Sequence, residues 1–309
     1  MVLGTLMRFS FAAVACVFAA LSVAGPAAAD KEKKPKADRP LASVMSCLRG
    51  SKDLVVTARV GGGATVAPEN SMAALNELLP YAAAMQIDVA AAVEGTLYLM
   101  RDATIDRTTT GRGGAGDVYW EDLKSLRLKN KYGVETDQPI PTFNEALDWS
   151  AGKAILLVDK RMGATWAEII QAVKLKGAEN RVIAMVRSPV EVAEIRRLSD
   201  KVGVRFDLTS ADDWKRLRDL DVKSNTLIGW TSGAAKPELW KDAKKKVVVG
   251  YTTAGAAGKS YDETITASGD FNQYNWFAQQ GVTFILTDNP QLASQSKNAK
   301  KGREHCLGR

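Results

Sequence analysis

Two short stretches of this chain hold residues that could do chemistry. Arg59–Asn70 reads RVGGGATVAPEN, and Leu99–Asp102 reads LMRD. Both look like loops that follow strand-like runs, and parallel α/β folds keep their active sites at strand C-terminal ends. Each carries an arginine, Arg59 and Arg101, where a catalytic histidine would be sought. Arginine stays protonated up to a pH of roughly 12 or more, so it binds anions through its planar fork and shuttles protons poorly. Lys160, in LVDKR, stands at another strand end, and a buried lysine needs a functional reason. Other chemistries find no support. The single histidine, His305, lies near the end of the sequence, and no zinc-ligand spacing, Walker motif, nucleophile elbow or Cys-His pair is present. GRGGAG at Gly111–Gly116 follows a polar segment rather than a strand and reads as a turn.

The elements that must position these residues alternate along the chain. LVVTA (Leu54–Ala58) reads as a buried strand, and NSMAALNELLPYAAA as a helix capped by Asn70 or Ser71. MQIDVA (Met85–Ala90) and TLYLMR (Thr96–Arg101) are strand-like. A long polar stretch, residues 102–153, contains the helical YWEDLKSLRL. Strand and helix then repeat, with strands at Ala154–Lys160, Arg181–Val186, Val202–Leu208, Asn225–Trp230, Lys246–Thr252 and Val282–Asp288. Near-continuous apolar strands separated by helices indicate a parallel sheet covered on both faces. A closed (β/α)₈ TIM barrel is the first expectation and an open doubly wound sheet the second. The strand candidates outnumber the eight of such a barrel, and NTLIGW (Asn225–Trp230) is expected to lie off it.

Length and composition bound the rest. The 309 residues, 46% hydrophobic and 25% charged, suffice for one domain of barrel size. Residues 1–29 have the form of a cleavable signal peptide: Met7–Arg8, an apolar run, and an Ala-x-Ala site ending at Ala29. An uncleaved anchor is the alternative, although the run is short for a span. The mature chain is expected in the periplasm or secreted, with no transmembrane segment. Removing Cys16 leaves Cys47 and Cys306, which are either a disulfide stapling the C-terminal tail to the start of the domain or two free thiols. The charge is +7. Much of the excess sits in a basic, disordered segment within residues 30–46 and a basic tail, residues 296–309, flanking a barrel domain at 47–295. Such tails are solvated or touch an anionic surface weakly, and no aromatic-studded basic pattern points to nucleic acid.

With these residues in view, the chain resembles the glycerophosphodiester phosphodiesterases over roughly Leu54–Pro290. The first strand of that family ends in His-Arg-Gly followed by Pro-Glu-Asn, matched here by Arg59 and by Pro68, Glu69 and Asn70. Its Glu-x-Asp is matched by Gln86 and Asp88. Its His-Asp and Arg-Thr-Thr-x-Gly are matched by Arg101–Asp102 and Arg107–Gly111. IPTFNEAL (Ile140–Leu147), LVDKR with Asp159 and Lys160 for Glu-x-Lys, GYTTA, and TDNP before residue 291 follow in family order.

The resemblance implies a TIM barrel of the PLC-like phosphodiesterase type. It also implies hydrolysis of glycerophosphodiesters, part of lipid metabolism, with Ca²⁺ or Mg²⁺ held by carboxylates and two histidines as general acid and base. Here Arg101 stands at one histidine position, and Arg59 stands at the other or is the family arginine itself; either way no histidine is available there. Gln86, Asp88 and Asp159 make a weakened metal set that holds a cation poorly or none. Glu69 and Lys160 are the candidate ligand-binding residues. The expectation is an exported family member with lost or strongly reduced hydrolysis that still binds a phosphate-bearing or other anionic ligand. The alternatives are an active phosphodiesterase with altered catalytic residues and an interaction platform in the cell envelope.

Overall fold

A computed structural model describes Met1 and residues 38–60, 65–210, 212–219, 225–255 and 260–308. The signal-peptide and localisation expectations lie outside these residues, as does most of the glycine loop after Arg59. The chain divides into two units, Met1–Lys34 and Pro35–Arg309, and the second contains every element that follows.

Its strands are β1 (Val55–Arg59), β2 (Ala84–Ala91), β3 (Leu97–Leu99), β4 (Arg127–Lys129), β5 (Glu135–Pro139), β6 (Ile155–Lys160), β7 (Val182–Met185), β8 (Gly203–Asp207), β9 (Leu227–Thr231), β10 (Val248–Thr252) and β11 (Phe284–Thr287). β1 pairs in parallel with both β11 and β2, so β1, β2 and β6 to β11 form a closed barrel rather than an open sheet. Helices between successive parallel strands cover its outside. The expected order needs one correction. NTLIGW supplies β9, inside the barrel between β8 and β10. The strand that lies off the barrel is β3, antiparallel to β2. Only residues 92–96 join β2 to β3, a hairpin connection, whereas a parallel crossover needs about a dozen residues or more.

Strand alternation sorts the apolar residues into two cores. One phase, including Met85, Ile87, Val89, Leu156 and Val158, packs against the helices. The other, including Val55, Ala84, Leu157, Ile183, Met185, Ile228 and Phe284, fills the lumen. The helix Leu41–Gly50 closes the N-terminal mouth, where Leu41, Val44, Met45 and Leu48 recur at helical spacing and join the lumen core. The residues at the basic C-terminal end are not a loose tail. Lys297–His305 is a helix packed against the helix Gln273–Gln279, and Cys306 is bonded to Cys47. The folded unit therefore extends past both ends of the expected 47–295 domain. Trp230 crosses the lumen over Gly250, where a Cβ would lie 2.0 Å from the indole. Only glycine fits at that position.

Candidate functional site

The C-terminal mouth of the barrel receives the polar ends of the lumen phase. A strand side chain repeats its direction every second residue. Arg59 thus follows Val55 inward, Gln86 and Asp88 follow Ala84, and Asp159 follows Ile155 and Leu157. Asp88 and Asp159 are register partners on adjacent strands, which sets two carboxylates side by side. Their side chains are only 2% and 4% exposed.

A guanidinium lies between them. Arg161 donates to Asp88 Oδ1 from Nε at 2.8 Å and from a terminal nitrogen at 2.5 Å, and that terminal nitrogen is 2.8 Å from Asp159 Oδ2. Arg187 reaches the same Asp159 carboxylate from the outer side at 3.3 Å. Asn70 fixes Asp88 from the other flank: its amide donates to Oδ2 and its carbonyl accepts from the Asp88 backbone N–H, both at 3.1 Å. Asn70 adopts φ +54°, a left-handed turn that asparagine tolerates. Ser71, next in the chain, caps the following helix. Asn70 of Pro-Glu-Asn therefore orients Asp88.

Burial works against the Arg161 cation, but Asp88 and Asp159 outweigh it and hold its pKa above the usual arginine value. Burial pushes the Asp159 carboxyl up, as does neighbouring Asp88, against the pull of Arg161 and Arg187. Two carboxylates compete for one bridging guanidinium.

Two further ion clusters complete the mouth. Arg59 grips Asp288 with a fork, Nε to Oδ1 at 2.7 Å and a terminal nitrogen to Oδ2. Asp262 accepts from the Asp288 backbone N–H and the Tyr274 hydroxyl, both at 2.9 Å, and its carboxyl is raised by burial. Arg107 joins Asp102 and Glu69. The Arg107 hydrogen bond holds the Asp102 carboxyl below the usual aspartate value, whereas burial raises that of Glu69. Arg101 lies close enough to both to pull each down. Deeper in the lumen, the Arg205 guanidinium stacks 5.2 Å from the Trp230 ring and pairs with Asp207 at 3.1 Å. The buried Gln86 Oε1 has no hydrogen-bond partner among the described residues.

The structure thus brings Arg59, Gln86, Asp88 and Asp159 to one mouth, with Glu69 and Arg101 in the cluster around Arg107. It does not bring Lys160 there. Lys160 shares the phase of Leu156 and Val158, and its ammonium sits 6.0 Å over the Trp166 ring in the helix layer. Alternation explains the correction: the lumen-facing partner of Asp159 in LVDKR is two residues on, at Arg161. Sequence reading missed Arg161, Arg187 and Arg205. The signal was available, since each continues the inward phase of its strand by two residues. His305, the single histidine, pairs through Nδ1 with the Asp53 carboxylate at 2.8 Å at the opposite end of the barrel.

These donors fit a hard divalent cation poorly. Ca²⁺ and Mg²⁺ need several close oxygen ligands, and here both carboxylates are already spanned by a fixed positive charge. The arrangement favours holding charge over moving protons, because each lumen carboxylate faces a permanently protonated guanidinium.

A sequence model of the glycerophosphoryl diester phosphodiesterase family matches residues 61–292. The chain is 25% identical over 250 residues to a glycerophosphodiester phosphodiesterase of Caldanaerobacter subterraneus subsp. tengcongensis, covering 78% of this chain and 96% of that one. Among solved structures, a glycerophosphoryl diester phosphodiesterase from Parabacteroides distasonis superposes with TM-score 0.73 at 23% identity, covering 84% of this chain and 92% of that chain. A phosphodiesterase of Oleispira antarctica, in complex with the product sn-glycerol-3-phosphate, superposes with TM-score 0.60 at 19% identity over 79% of this chain and 96% of that chain.

Proposed function

This chain belongs to the glycerophosphoryl diester phosphodiesterase family, and from that premise we propose that it binds a phosphate-bearing ligand at the C-terminal mouth with lost or strongly reduced hydrolysis. The observation that carries this reading is Arg161 lying between Asp88 and Asp159. A guanidinium there supplies the positive charge that family chemistry takes from a metal, but it cannot activate a water by lowering its pKa. Arg59 and Arg101 give no proton near neutral pH, and His305 is at the other end of the barrel. The exposed edges of Arg107 and Arg187, 55% and 60% accessible, offer forks of the shape that phosphate accepts. The Oleispira antarctica structure, in complex with sn-glycerol-3-phosphate, supports a phosphate-bearing ligand for this chain. We place the protein outside the cytoplasm on the form of residues 1–29.

One observation favours the competing reading, an active enzyme with altered catalytic residues. The Glu69 carboxyl is raised by burial, which suits a general acid. A single set of measurements separates the two. Hydrolysis of glycerophosphocholine is followed with and without Ca²⁺ or Mg²⁺, and calorimetry follows binding of sn-glycerol 3-phosphate. Metal-independent binding without turnover supports the proposal. Turnover at ordinary enzyme rates, lost in Glu69→Gln, overturns it, and absence of any binding heat overturns its ligand-binding half.

A further inference from the structure

The N-terminal end of the barrel, opposite the mouth, carries a second charged feature. Arg49 and Lys52 lie just before β1, Lys241, Lys244 and Lys245 just before β10, and Gly281 just before β11. Together these segments line a cavity of about 360 Å³. Its charged lining is entirely cationic. Lys241 pairs with Glu238 and Lys245 with Asp242, both within one turn of the same helix. Among the described residues, Arg49, Lys52 and Lys244 form no ion pair with a carboxylate. Nearby Asp53 is engaged by His305.

Lys244 is held in place by its own donation to the Ser51 carbonyl at 2.6 Å. Burial, then the charge of Lys52, lowers its pKa. Like charges gathered in a concavity form a ready counter-surface for an anion.

The surroundings suggest an extended anion rather than a small one. The helix Lys297–His305 begins beside the cavity, where Asn298 donates to the Lys52 carbonyl at 2.5 Å. Trp276, the exposed tryptophan among the described residues at 38%, is on the helix that supplies Ala278 and Gln279 to the cavity wall. Tryptophan beside lysine is the pairing that settles at a lipid headgroup layer.

We infer that this N-terminal face is a docking site for an anionic phospholipid surface, with Arg49, Lys52 and Lys244 receiving a headgroup phosphate. No helix among the described residues is long and apolar enough to cross a membrane. The contact would hold the barrel with its opposite mouth facing away from the lipid. This inference does not depend on what the mouth binds.

The test is sedimentation of the purified protein with phosphatidylglycerol/phosphatidylcholine vesicles, with phosphatidylcholine vesicles as control. Three variants are compared: Arg49→Gln/Lys52→Gln/Lys244→Gln, the charge-conserving Lys52→Arg/Lys244→Arg, and Lys31→Gln/Lys33→Gln/Lys34→Gln/Lys36→Gln in the N-terminal segment. The wild type is expected to bind only the anionic vesicles, less so as salt rises. The first variant is expected to lose on the order of a hundredfold in partition, three charges each contributing several-fold. The arginine variant should retain binding. Unfolding temperatures of all three confirm that each is folded. Retention that follows the N-terminal lysines and ignores the cavity overturns the inference. So does saturable binding of free inorganic phosphate at the cavity with no retention on vesicles.

Discussion

Replacing Arg161 with methionine isolates the role of the bridging guanidinium. Asp88 and Asp159 would remain as register partners, 2% and 4% exposed, with their shared cation gone. Removing one member of a buried ion pair costs about 3–5 kcal/mol, because the other charge stays desolvated. The lower end applies here, since Arg187 is 3.3 Å from Asp159 and Asn70 still holds Asp88. A loss of about 3 kcal/mol corresponds to roughly 6–12 °C in Tm for a domain of this size. The sign of the pH dependence follows from Asp159, whose carboxyl is already raised by burial and would rise further without Arg161. A carboxyl raised in the folded state takes up a proton there before it does in the unfolded chain. Stability is therefore regained as pH falls through the folded value, and the full deficit persists above it. The Tm gap between wild type and variant should narrow on acidification from neutral pH.

The variant also frees two carboxylates from their bridging cation, Asp88 keeping Asn70 and Asp159 keeping Arg187, beside the unpartnered Gln86 Oε1, a set that can take Ca²⁺. Calcium at about a hundred times its Kd would return about 2.7 kcal/mol. The assay is differential scanning calorimetry across pH, with and without calcium, on both proteins. A variant melting within about a degree of wild type, or a gap that widens on acidification, refutes the reasoning. Equal calcium stabilisation of both proteins would show that the guanidinium does not stand where a metal would.

Three further outcomes can be measured. Cys47→Ser/Cys306→Ser opens a link across 259 residues of sequence and should lower unfolding free energy in urea by about 2–5 kcal/mol; an unchanged midpoint would deny the staple. Gly250→Ala drives a methyl into the Trp230 ring and should cost about 1–3 kcal/mol with a shift in tryptophan fluorescence, whereas a neutral result would mean the lumen accommodates it. In the Arg107 cluster, Glu69, raised by burial, should protonate first as pH falls. Asp102, held low by Arg107, should follow, its stabilising contribution being full above the unfolded aspartate value and lost through the lower folded one. Carboxyl NMR titration reads the order, and Asp102 titrating first would contradict the geometry.

Much of this protein is legible in its sequence. The buried runs from Val55 to Thr287 announce parallel strands because strands apolar on both faces must be covered on both. That Arg59 and Arg101 are guanidinium groups needs no structure to see, since their chemistry is intrinsic to the side chain. Residue identity does not reveal pairing. Arg59 meets Asp288 across 229 positions only because closure sets β1 beside β11. Hairpin or crossover at residues 92–96 decides which strand leaves the barrel. The two-residue period of β6, fixed by its neighbours, turns Arg161 into the lumen and Lys160 out toward Trp166. The sequence determined which charges the chain carries; barrel closure and strand register decided which face one another, because an ion pair depends on distances that only the packed structure sets.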